Sequence, residues 1–165
     1  MKNNFWTLLM NDKNIKIDRE FDLGYQAYQN KKYKEVIKHF SKVIKLDNNN
    51  SAAYNNRGLA KENLQRYKEA IKDFNKAIEL NNENAFAYNS LGYIKNILAN
   101  IQKDKISEKD YNQLKKEASD NFNKAYEFAN KDLKEKMIKY LSKLAKDNEK
   151  IARDFFEIHN FVNPI

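Results

Sequence analysis

The chain has 165 residues, 41% hydrophobic and 13% aromatic, which is enough for one folded domain with a modest core. It has no cysteine, which excludes disulfides and thiolate chemistry and fits a reducing compartment, and no apolar run approaches the roughly 18 residues of a bilayer span. The net charge of +8 raises nucleic acid as a partner, but lysine alternates with Asp and Glu throughout and no segment is strongly basic, so a solvated mixed-charge surface accounts for it.

Only three glycines and one proline interrupt the chain, which predicts an all-α protein. Residues 1–16 share no pattern with the rest of the chain. Their apolar stretch NFWTLLM, with the sole tryptophan Trp6, is too short for a signal-peptide core and has no small-residue cleavage site after it. The segment is read as a soluble, cytoplasmic protein's N-terminal extension. It either covers the apolar edge of the next element as a short helix or strand, or lies in a groove of its own chain or a neighbour.

From residue 17 a period appears. YKEVIKHFSKVIKL at 33–46 recurs 34 residues later as YKEAIKDFNKAIEL at 67–80. Tyr33, Val36, Ile37, Phe40, Val43 and Ile44 match Tyr67, Ala70, Ile71, Phe74, Ala77 and Ile78, spaced as one face of a helix. Upstream of each lies a second helical stretch carrying one glycine: Gly24, Gly58 and Gly92, each 34 residues from the last. Asparagine-rich turns, DNNN at 47–50 and NNEN at 81–84, separate the units. Asn tolerates the left-handed conformation at helix ends and caps the helix beyond.

The third unit, 85–130, is 14 residues longer between its glycine and its Ala118 than the first two are between theirs. Ile94, Ile97, Leu98 and Ile101 extend the apolar face upstream, and Tyr111, Leu114 and Ala118 extend it downstream. Ser107 followed by Asp110 reads as a capping box with Asp in place of Glu. Two helices each lengthened by about two turns, with a tip near 103–107, are therefore expected, against a disordered Lys-rich loop. In 131–165, Ala152 and Phe156 fall 34 residues after Ala118 and Phe122, which suggests a degenerate fourth unit with helices near 132–146 and 149–159, or one capping helix. The apolar tail FFEIHNFVNPI either packs back or mediates self-association.

The 34-residue helix–turn–helix unit resembles the tetratricopeptide repeat family, whose pattern is an aromatic, then Leu-Gly, then Ala-x-x-x-Phe, then Pro. Tyr54, Gly58, Ala70, Phe74 and Ala77 carry the resemblance in the second unit. Leu23, Gly24, Val36, Phe40 and Val43 carry it in the first, and Tyr88, Leu91, Gly92, Ala118, Phe122 and Ala125 in the third. Arg57 stands where Leu is usual, and Asn48, Asn82 and Asn130 where Pro is usual. The resemblance implies a right-handed superhelical array of antiparallel helix pairs, with three repeats at 17–50, 51–84 and 85–130. It also implies that each glycine sits where the two helices of a unit cross.

The family's concave groove is lined by the first helices. Carried onto this sequence it gives Phe21, Asp22, Tyr25 and Tyr28 from the first unit, and Asn55, Asn56, Leu59 and Asn63 from the second. The third supplies Phe86, Asn89, Ser90, Tyr93 and Asn96. Asn pairs with peptide backbone and aromatics supply contact area. In the subfamily that clamps acidic chaperone C-terminal tails, the clamp uses Lys and Asn in the first unit, where Phe21 and Tyr25 stand here, Asn in the second, and Lys and Arg in the third, where Phe86 and Ser90 stand. Only Asn56 agrees, so such tails are not expected as partners.

Nothing in the sequence carries catalysis. His39 and His159 lie in no ligand-spaced cluster, His39 is expected to point outward, no glycine-rich phosphate loop exists, and no cofactor or metal is expected. The expectation is a non-catalytic interaction module binding a peptide or helix of another protein. Self-assembly through the tail or array edge is the alternative, with RNA binding behind it.

Overall fold

The computed structural model describes residues 3–146, and their side chains over residues 12–144. The described residues form seven α-helices and contain no strand. They fall into two compact units divided between Asn82 and Glu83. The predicted second helix of the fourth unit, the apolar tail, His159 and the Trp6 side chain lie outside what is described.

The first unit holds α1 (Asn3–Gln29), α2 (Tyr33–Leu46), α3 (Ser51–Asn63) and α4 (Tyr67–Leu80). Residues 3–16 run into the first repeat helix without a break, so α1 is 27 residues long. Turns of three or four residues reverse the chain between successive helices, which makes α1 and α3 run in the same direction beside α2. The apolar faces of α2 and α4 point inward. Val36, Phe40 and Val43 are buried on one, and Ala70, Phe74 and Ala77 on the other.

The glycines stand opposite the phenylalanines. A Cβ placed on Gly24 would lie 2.8 Å from the Phe40 ring, and one on Gly58 would lie 2.8 Å from the Phe74 ring. A ring-to-carbon contact prefers about 3.5–4.0 Å, so any side chain here would force the helices apart. That closeness explains why a residue that costs a helix about 1 kcal/mol recurs at a fixed period.

Helix ends obey local chemistry. Asn50 and Asn84 cap the helices that begin at Ser51 and Ala85, their side-chain oxygens accepting from the amides of Ala53 and Ala87 at 3.0 Å. The left-handed conformation falls elsewhere than expected. Among the described residues the non-glycine positions with positive φ are Lys31 (φ 56) and Gln65 (φ 58), in the turns inside the repeats, not the asparagines between them. Lys31 N–H donates to Tyr28 O and Lys32 N–H to Ala27 O, both at 2.9 Å, and Gln65 and Arg66 repeat the pair onto Glu62 and Lys61. This is the Schellman ending, with Lys and Gln at the place glycine usually takes.

The second unit holds α5 (Ala85–Gln102), α6 (Glu108–Phe128) and α7 (Lys131–Lys146). Residues 103–107 join α5 to α6, and Ser107 caps α6 by accepting from Asp110 N–H at 3.1 Å. The Asp110 carboxylate does not close a full capping box; it accepts from the Ser107 hydroxyl at 2.7 Å. The crossing recurs at Gly92, where a Cβ would meet Phe122 at 2.9 Å and the main-chain oxygen of Ala118 at 3.1 Å. α7 buries Leu133, Met137 and Leu141 along one stripe, and its Tyr140 lies against Phe122 and Tyr93 with ring centroids 6.0 and 5.5 Å apart.

Candidate functional site

In the first unit, α1 and α3 present a concavity of about 170 Å³ lined by Tyr25, Tyr28, Phe40, Asn56 and Leu59. Phe40 is buried and forms the floor, with the Tyr25 and Phe21 rings standing edge-on to it at 6.1 and 5.2 Å between centroids. Phe21 thus serves mainly as packing for the core. Tyr25 and Tyr28 remain 53% and 37% exposed, a large fraction for aromatic residues that flank an apolar hollow.

Burial raises the Tyr28 phenol pKa above its ordinary value, as do the neighbouring Tyr33 and the Glu62 carboxylate, while the Asn63 amide of α3 works the other way. Asn63 donates to Leu59 O at 2.8 Å, which fixes it against α3. Asp22 is exposed one turn before Tyr25, and Asn56 and Leu59 are half-buried. Asn55 is turned inward, with its Oδ1 buried and without a hydrogen-bond partner.

In the second unit the expected residues separate by depth. Phe86 is exposed, and Asn89 and Tyr93 are less deeply placed than their neighbours Ser90 and Asn96, with Tyr93 against Tyr140 of α7. Ser90 and Asn96 are buried, and Asn96 Oδ1 accepts from Lys115 Nζ at 2.7 Å. A partner could therefore reach Phe86 on this unit, but not Ser90 or Asn96 without opening it.

The sequence did not reveal the ionic clasps. Asp73, buried on α4, accepts from Arg57 Nε at 2.9 Å and Nη2 at 2.7 Å, and from Lys61 Nζ at 2.7 Å; Arg57 Nη1 continues to Ser41 Oγ at 3.2 Å. Arg57, at the place of the usual Leu, thus ties α2, α3 and α4 together. The available signal was a charged residue at an apolar repeat position, which requires a buried counter-charge. His39 does not point outward: its Nδ1 lies 2.7 Å from Glu20 Oε2 on α1, and Lys42 Nζ donates to Glu20 Oε1 at 2.8 Å. The long α1 brings a carboxylate over α2 that the repeat pattern could not place.

No three His, Cys, Asp or Glu side chains among the described residues converge to hold a metal ion, and no helix among them is long and apolar enough to cross a membrane. The paired helices and their recurring glycine–phenylalanine crossings define an all-α helical-repeat architecture. Residues 51–84 match the family model described as tetratricopeptide repeat, and the solved structures similar to this chain include domains of that family. The TPR domain of Arabidopsis OM64 is 25% identical, covering 70% of this chain and 85% of its own, with a TM-score of 0.58. The first TPR domain of Spaghetti (RPAP3), bound to the HSP90 peptide SRMEEVD, is 23% identical over 79% of this chain and 94% of its own, also with a TM-score of 0.58. The second TPR domain of human RPAP3, in complex with the HSP70 peptide SGPTIEEVD, is 23% identical over 72% and 89%, again at 0.58. No curated protein matches the sequence.

These neighbours correct one expectation. The exclusion of chaperone C-terminal tails rested on the absence of cations at a few matched positions, yet proteins of this fold hold such tails. Amide side chains and main-chain groups also bind carboxylates, so missing cations at those positions do not exclude an acidic peptide.

Proposed function

We propose that the chain is a non-catalytic protein-interaction module that takes a peptide or helical segment of a partner on the α1–α3 face of its first unit. The observation that carries this is the hollow between Tyr25, Tyr28, Phe40, Asn56 and Leu59. It offers a greasy floor, two exposed aromatic walls and an amide within one helical turn. That combination suits an apolar anchor residue whose backbone hydrogen-bonds at the rim. Peptide-bound TPR neighbours support the same reading at the level of fold.

The test is capture from the source organism's lysate with wild type and with a Tyr25→Ala/Asn56→Ala variant whose circular dichroism and melting match wild type. A protein held by the first and lost by the second supports the reading. Identical captures move the site off this face. Recovery of RNA alone, or of the chain alone with concentration-dependent size, replaces it with nucleic-acid binding or self-assembly.

A further inference from the structure

Counted over the whole first repeat, 17–50, seven basic residues are set against five carboxylates, which hides a separation between its two helices. Residues 17–29 of α1 hold Asp18, Glu20 and Asp22 with Arg19 alone, whereas 31–45 hold six lysines and one carboxylate, Glu35. Lys34, Lys38, Lys42 and Lys45 fall at i, i+4, i+8 and i+11, which lines them along one side of α2, and all four are exposed. That side is opposite Val36, Phe40 and Val43, the residues α2 turns into the core, so it is a different surface from the α1–α3 hollow. At the start of α2 the stripe meets an open concavity of about 320 Å³ lined by Lys31, Lys32, Tyr33, Lys34, Glu35 and Leu64.

Most of these cations lack a counter-charge. Lys31, Lys34, Lys38 and Lys45 form no ion pair among the described residues. Lys32 lies 3.4 Å from Glu35, with both side chains more than half exposed, and Lys42 donates to Glu20 at 2.8 Å. The carboxylates nearby are committed or distant. Glu20 also lies 2.7 Å from His39, and Asp47, past the end of α2, accepts from Asn49 N–H at 3.1 Å. Glu62, on α3, is half-buried with its Oε2 buried. Asp18 and Asp22 are exposed on α1, with exposed Arg19 between them. The second repeat copies Lys34 and Lys38 as Lys68 and Lys72 on α4, but there Glu69 and Glu79 accompany them, held by Arg66 and Lys76, so α2 is the more basic helix.

The chemistry of this side selects among anionic partners. Its aromatic residue Tyr33 is half-buried against Tyr28, with ring centroids 5.8 Å apart, so the bases of a nucleic acid find no open ring to stack on. No large apolar side chain in 31–45 is exposed, so nothing here would enter a bilayer. The stretch has no arginine, whose planar fork grips phosphate with two bonds; lysine, a point charge, suits single carboxylates. Lysines four residues apart on a helix rise about 6 Å, close to the roughly 7 Å between alternate side chains of an extended peptide. We infer that the exposed side of α2, with the lysine-lined concavity at its start, is a second docking surface, for an acidic segment of a partner protein that carries Asp or Glu at alternate positions of an extended strand.

The full chain, labelled with ¹⁵N, would be titrated with a capped nonapeptide alternating Ser and Glu, and with the same peptide carrying Gln for Glu. The Glu peptide should shift the amides of Lys34, Lys38, Lys42 and Lys45 and leave those of Tyr25 and Leu59 in place. The Gln peptide should shift none of them, and the affinity of the Glu peptide should fall as salt rises. Lys34→Gln/Lys38→Gln/Lys45→Gln removes exposed cations that hold no ion pair and should weaken the Glu peptide by about tenfold. Lys103→Gln/Lys105→Gln/Lys109→Gln removes the same charge from exposed positions of the second unit and should change its affinity by less than about twofold. Equal weakening by both variants would show that net charge rather than this face attracts the peptide, and would overturn the inference. So would shifts confined to Tyr25 and Leu59, or no shift at all. A uridine octanucleotide that binds more tightly than the Glu peptide, or sedimentation with phosphatidylserine vesicles, either one lost in the α2 variant, would replace the acidic protein segment with a phosphate-bearing partner. The Tyr25→Ala/Asn56→Ala variant leaves this surface intact, so the two readings fail separately.

Discussion

Gly58→Ala tests whether the helix crossing, rather than chance, fixes the glycine period. In the interior of a helix the substitution should stabilise by about 1 kcal/mol through backbone entropy. Against that, the new Cβ would stand 2.8 Å from Phe74 Cε1 and 3.0 Å from its Cδ1 and Cζ. Phe74 is fully buried, so its ring can move only by displacing neighbours, and overpacking of this kind costs about 1–3 kcal/mol. The net expectation is a loss of about 1 kcal/mol in urea unfolding followed by circular dichroism. The decisive measurement is the same substitution in a Phe74→Leu background, where the ring is gone. There Gly58→Ala should become neutral or stabilising, giving a coupling of about 2 kcal/mol across the pair. Stabilisation in the wild-type background, or an equal effect in both, would refute the account. The third crossing supplies an internal control. At Gly92 the Cβ also meets Ala118 O at 3.1 Å, a main-chain atom, so Phe122→Leu should rescue Gly92→Ala less well.

The same geometry supports other expectations. Lys31→Gly and Gln65→Gly should each raise stability by about 0.5–1 kcal/mol, because both positions hold positive φ that costs an L-residue energy; a fall in the melting temperature would show that the turns do not need it. Asp73→Asn should destabilise by about 3–5 kcal/mol, since it leaves Arg57 and Lys61 without their carboxylate, whereas a change under about 1 kcal/mol would mean the clasp opens to water without penalty. Burial pushes the Glu20 carboxyl up, but hydrogen bonds and charge from Lys42 and His39 outweigh it and hold the pKa below the ordinary value. A group depressed in the folded state contributes stability that is present above its unfolded pKa of about 4.5 and is lost as pH falls through the lower folded one. Glu20→Gln should therefore cost up to about 1 kcal/mol at neutral pH and flatten the stability profile below pH 4.5, while an unchanged acid limb would remove the pair from the account.

The repeat was legible because its signals are local and periodic. Phe40, Phe74 and Phe122 sit at matched positions on one helical face, the glycines at another, and Asn50 and Asn84 precede helices where an N-cap is needed. Of the apolar face expected along Ile94, Ile97, Leu98 and Ile101, Ile94 is buried and Ile97 and Leu98 are partly so, but Ile101 at the far end of the lengthened helix is 60% exposed. What the period could not supply was depth within a helix's polar side. Asn55, Asn56 and Asn63 look alike in sequence, yet one is buried, one lines the hollow and one is exposed and bonded back to Leu59 O of its own helix. The same limit applies to Ser90 and Asn96, which belong to the same helix as the exposed Phe86 but face neighbours only the folded chain provides. Charge partners were equally hidden, because Asp73 and Arg57 are 16 residues apart on different helices.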